Sequence, residues 1–71
     1  MKSTKAVITH PDAVAFDRTI VGKGLYELVS LRTKFLRGIN ATKDVDEKVA
    51  WAQMAAAITQ ELDDRNKAGS L

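Results

Sequence analysis

Cysteine is absent from this 71-residue chain, so a disulfide framework, a thiolate metal site and a thiol nucleophile are all excluded. Histidine occurs once, as His10, and no second histidine or carboxylate stands at metal-ligand spacing from it on one helix face, so no metal is expected. Long apolar runs are missing too: none approaches the roughly 20 residues that span a bilayer. Met1 to Thr9 shows no apolar leader core or cleavage site, and the expectation is a cytoplasmic protein with no membrane partner. Proline is confined to Pro11 and glycine to four positions, which leaves most of the chain free to be helical. What is present, 45% hydrophobic and 28% charged residues, is the composition of a folded domain. A domain of this size buries only about 60% of the surface its unfolded chain exposes, so a lone protomer is marginal and self-association is the expected remedy.

The net charge of +2 hides a split. Residues 1–43 carry eight Lys/Arg against three Asp/Glu, and residues 44–71 carry three against six. Such halves suit a chain that folds back on itself and partly neutralises, rather than a uniformly basic nucleic-acid footprint.

Residues 1–71 read as one all-α domain. Residues 1–9 form a flexible or extended N-terminal arm, basic and then β-branched. His10-Pro11-Asp12 opens a helix, because proline suits its first position and Asp12 favours its positive end. Helix is expected over 11–37, with Lys34 and Arg37 in its last turn and Gly38 as its stop. At 100° per residue Ile20, Val21, Leu25, Leu28, Val29, Leu31, Phe35 and Leu36 occupy about half the circumference. The same phase carried backwards puts Asp17 inside the apolar arc and Phe16 outside it. A break near 16–19 resolves the conflict, giving a short helix and then a long one from about 18, with Asp17 a candidate cap. After a loop over 38–44, Asp44 caps a second long helix over 45–66, with Glu47 in the capping-box position and Gly69 beyond the end.

The second helix carries one stripe of large residues, Trp51, Met54, Ile58 and Leu62, and beside it a stripe of small ones, Val45, Val49, Ala52 and Ala56. An antiparallel helical hairpin buries one stripe per helix, so the other calls for a second chain. The fold expected is a short N-terminal helix plus an antiparallel hairpin, assembled as a homo-oligomer.

Catalytic sets are not evident. Asp63-Asp64 point two ways on a helix, Asp44 and Asp46 sit where a helix N-terminus favours negative charge, and no serine has a base at motif spacing. A non-enzyme without cofactors is expected. Val21-Gly22-Lys23-Gly24-Leu25 places two glycines inside a predicted helix, at roughly 1 kcal/mol each against alanine. They either mark a close helix crossing or leave room for a planar ligand beside the Lys23 cation, and their spacing is not that of a P-loop. Arg32, within the apolar arc, either lays its stem on apolar surface with its head at Asp44, Asp46 or Glu47, or binds an anion. Arg18, Lys23 and Arg32 are the candidate anion-binding cations.

Ile20-x-x-Lys23-Gly24 followed by Glu27-Leu28, with Met54-Ala55 in an alanine-rich second helix, is similar to the phage anti-CBASS and anti-Thoeris sponge family. The similarity spans about residues 10–62. It implies a helical oligomer that sequesters a cyclic nucleotide signal between protomers, in the host-cell cytoplasm if the chain is phage-encoded. By the resemblance Lys23 matches the lysine that pairs with ligand phosphate, with Gly24 beside it. The family pattern has an upstream aromatic for the base; here the planar groups are His10 and Phe16, neither at the family spacing. The candidate ligand-binding set is therefore His10, Phe16, Arg18, Lys23, Gly24 and Arg32. An inhibitor that docks on a host defence protein is the alternative, and a small DNA-binding regulator whose basic arm, Lys2 to Lys5, and first helix meet phosphates is a third, although nucleic acid is not the expected partner.

Overall fold

The computed structural model describes residues 7–69, and all regular structure among them is helical. Helix α1 spans Pro11–Thr19, α2 spans Leu25–Ala41 and α3 spans Val45–Lys67. A 3-10 turn, Ile20–Gly22, and the extended pair Lys23-Gly24 connect α1 to α2. Of the expected arm, residues 1–6 lie outside the described residues, while 7–9 precede α1 without regular structure.

Three boundaries differ from the sequence expectation. The break falls at 20–24 instead of 16–19, so Asp17 is an interior residue of α1 and caps nothing. Helix persists through Thr19 because no residue there opposes it, and the two glycines of low helix propensity take the interruption instead. Helix α2 does not stop at Gly38 but runs on to Ala41, so its last turn contains no basic residue and Lys34 and Arg37 lie further in. The loop shortens from 38–44 to Thr42-Lys43-Asp44.

Asp44 caps α3 as expected, its Oδ1 accepting from the backbone N–H of Asp46 at 2.9 Å and of Glu47 at 3.4 Å. Glu47 does not complete the capping box directly. The Thr42 hydroxyl donates to Glu47 Oε1 at 2.6 Å and accepts the Asp44 N–H at 3.1 Å, a relay that satisfies the same donor. At the far end of α3, Gly69 takes a φ of 74° and its N–H donates to the Asn66 carbonyl, the left-handed exit that glycine supplies without strain.

Helices α2 and α3 lie side by side with opposite chain directions: Gly38 meets Trp51, and two turns earlier Arg32 meets Thr59. Helix α1 runs along α3 in the same direction, from His10 at Asp46 to Ile20 at Ala57 and Ile58. One buried cluster joins Ile20, Leu28, Ala57 and Ile58; a second joins Ala13, Ala50 and Met54. Ile8, Phe16 and Phe35 pack against both, with the two phenylalanine rings edge to face at 5.5 Å and 89°. The large-residue stripe of α3 thus faces inward. The small stripe stays uncovered in the protomer: Val45 is 72% exposed, and Val49, Ala52 and Ala56 are exposed as well. Leu25, Val29 and Leu36 form a similar exposed stripe on α2, and the Arg32–Thr59 contact marks where the two stripes adjoin.

Candidate functional site

The site begins with the interruption between α1 and α2. Burying Ile20 against Ala57 and Ile58 anchors the end of α1, the 3-10 turn uses up the helical direction, and extended Lys23 and Gly24 redirect the chain into α2. Lys23 Nζ then lies 5.8 Å from the centroid of the Phe16 ring and 3.6 Å from Glu27 Oε2, one turn into α2. A cation over a ring face at this range is attracted by the ring quadrupole. Gly24 is the N-cap of α2 and offers no side-chain acceptor to its first turn.

Gly24 is not at a close helix crossing. A Cβ built there meets nothing within 4 Å, and the same holds at Gly22. The close approach is at Gly38, where a Cβ would fall on the ring of Trp51. At Gly24 the backbone simply faces open space beside Lys23 and the first turn of α2.

Phe16, Lys23 and Gly24 are therefore brought together, and the other three candidates are not. Arg18 lies on the last turn of α1, exposed and without an ion pair among the described residues. Arg32 does not reach Asp44, Asp46 or Glu47; its Nη1 donates to Thr59 Oγ1 at 3.4 Å. The antiparallel pairing places it halfway along α3, several turns from the acidic residues at the start of that helix. His10 is at the opposite end of α1 from the break, roughly 14 Å along a nine-residue helix. Both its ring nitrogens are engaged. Nδ1 accepts the Asp12 N–H at 3.1 Å as the N-cap of α1, and Nε2 lies 3.0 Å from Asp46 Oδ2. Accepting at Nδ1 requires the tautomer protonated at Nε2, which then donates to Asp46. The Gln53 side chain holds the adjoining backbone, its Oε1 accepting the N–H groups of Thr9 and His10 at 2.8 Å each while its Nε2 donates to Thr9 Oγ1 at 2.9 Å. His10 thus fastens the entry of α1 onto α3.

Two further residues at the junction are not marked by motif or spacing. Tyr26, in the first turn of α2, is 88% exposed and is a planar group two residues from Gly24. An aromatic beside a candidate cation suits base stacking, but its exposure, which makes it available, is set by the tertiary fold. Arg65 reaches from α3 to the carbonyls of the break, a long-range contact with no signature in local spacing.

Elsewhere, a shallow cavity of about 190 Å³ lies among Ile8, Asp17, Val21, Ala57, Gln60, Glu61 and Asp64. Its carboxylates make it unsuited to an anion. Among the described residues no group of three or more His, Asp or Glu is placed to hold a metal ion, and no helix is long and apolar enough to cross a membrane. Comparison with protein-family models, curated proteins and solved structures finds no match to this chain.

Proposed function

We propose that this is a non-catalytic accessory protein of the phage anti-defence type, a homo-oligomer of helical hairpins that sequesters a cyclic nucleotide signal where protomers meet. The observation that supports the reading is the placement of Phe16 and Lys23 together at the α1–α2 break, beside the open backbone of Gly24. A nucleotide phosphate requires a cation and unobstructed donors, and Lys23 with the first turn of α2 offers both. A base requires a planar face, which the exposed Tyr26 offers, while Phe16, packed against both buried clusters, holds the Lys23 cation over its ring. Glu27, paired with Lys23, is the group that a phosphate displaces. The exposed stripes of α2 and α3 are the surface through which copies associate, and they bring a second chain toward the junction.

Native mass spectrometry of the purified protein, alone and with a panel of cyclic dinucleotides, tests this. The expected result is a closed oligomer carrying one or more nucleotide adducts, with Lys23→Ala abolishing the adduct and leaving the oligomer intact. A Lys23→Ala protein that retains the nucleotide removes the proposal.

The exposed apolar face favours a second reading, in which the same hairpins dock on a host defence protein. A clean oligomer that binds no member of the panel shifts the assignment there.

A further inference from the structure

Arg65 sits near the end of α3, and its guanidinium is divided between two tasks. Nε donates to Glu61 Oε2 at 2.8 Å, one helical turn back in the favourable Glu-before-Arg order. Nη2 reaches across to the break, 2.8 Å from the Lys23 carbonyl, 3.3 Å from that of Val21 and 3.5 Å from that of Ile20. The Arg65 and Glu61 side chains are each only 19% exposed, so the pair is sheltered from competing water.

These carbonyls close the 3-10 turn and begin the redirection into α2. A helix end leaves carbonyls without intrahelical partners and carries partial negative charge, and a cation there supplies both hydrogen bonds and charge compensation. Lys23 has an extended backbone with ψ of 145°, and its carbonyl, the shortest Nη2 contact, converges with those of Ile20 and Val21 on that one nitrogen. The Lys23 carbonyl and the Gly24 nitrogen belong to one planar peptide unit. Fixing this carbonyl therefore fixes the plane from which α2 departs and the Cα from which the Lys23 side chain starts.

We infer that Arg65 is the positioning residue of the junction, holding the break between α1 and α2 in the geometry that presents Lys23 beside Phe16 and the open start of α2. The inference rests on the proposed role of Lys23 for its functional consequence, and on the contacts of Arg65 alone for its structural one. Glu61 orients the guanidinium, and a lysine at 65 lacks the fork that engages Glu61 and the carbonyls at once.

Amide hydrogen exchange on wild type, Arg65→Gln and Arg65→Lys tests the structural part. Two amides report on the break: Lys23, whose N–H donates to Ile20 O, and Leu28, whose N–H donates to Gly24 O. The expected result is exchange about tenfold faster or more at these amides in both variants, with the middle of α3 around Ile58 unchanged. Equal acceleration throughout the chain, or no acceleration at the break, overturns the inference. Should Arg65→Gln fail to fold, Glu61→Gln, which keeps the guanidinium but frees it, is expected to give the same local pattern at smaller size.

Titration with the panel of cyclic dinucleotides tests the functional part, with Gln53→Ala as a control that loosens α1 at Thr9 and His10, the end away from the break. Affinity is expected to fall about tenfold in Arg65→Gln and to stay unchanged in Gln53→Ala. Equal affinity in Arg65→Gln and wild type overturns the positioning role and leaves Lys23 standing. A wild type that binds no cyclic dinucleotide overturns the nucleotide reading, and local acceleration at the break still decides whether Arg65 holds it.

Discussion

Gly24 and Gly38 exchange the roles that spacing suggests for them. Gly24 sits on a predicted apolar arc and faces open space, whereas Gly38 looks like a helix stop and is where two helices touch. The reason is physical: low helix propensity marks both kinds of position equally, and only the partner helix distinguishes them. Gly38→Ala drives a methyl group into the Trp51 ring and should cost about 1–3 kcal/mol by denaturant unfolding, since the ring has to shift in a packed site. Gly24→Ala meets no such neighbour, and its midpoint should move by much less. Equal effects at the two positions contradict this account. His10 follows the same logic. A lone histidine ahead of a helix is legible as structural, but its bond to Asp46, 36 residues on, belongs to the tertiary fold.

Among the elements, α3 was the most legible because its signals agree. Asp44 caps it, an alanine-rich body follows, and Gly69 lies past its end; the observed helix differs from the expected one by a single residue. Its two apolar stripes were legible as well, since periodicity separates large residues from small ones without reference to partners. The α1–α2 segment was less so. The apolar phase calls for a break but places it at 16–19, whereas the backbone preferences at Gly22 and Gly24 decide where helix fails. The uncovered stripe of α3 also carries a prediction. Under the proposed association of copies through this stripe, Val49→Glu places a charge on a surface that the protomer leaves exposed, so helix content by circular dichroism should hold while the sedimentation coefficient falls toward that of a monomer. An unchanged sedimentation coefficient contradicts association through this stripe.

At the scale of the whole molecule, α3 is the element on which everything else is laid. Helix α2 reaches it through a three-residue connection, but α1 reaches it through distant partners, Asp46 for His10, 36 residues on, Gln53 for Thr9 and His10, and Arg65 for the break. The anti-defence reading needs this arrangement, because Lys23 lies on a connection whose shape depends on the far end of the chain. Lys23 and Phe16 are legible as members of one candidate set, but their closeness is not, since it is set by Phe35, Ile58 and Arg65 from the other two helices.

This division between near and distant partners has a kinetic consequence. Contacts that close short loops form early, because little chain entropy is lost, so α2 and α3 should pair in the folding transition state while α1 is still undocked. Gln53→Ala removes bonds made only when α1 arrives. In a stopped-flow chevron it should speed unfolding several-fold and leave the refolding limb in place, whereas Leu28→Ala, at the α2–α3 contact, should slow refolding. The junction that carries Lys23 is then the last part of the chain to be assembled and the first to come apart.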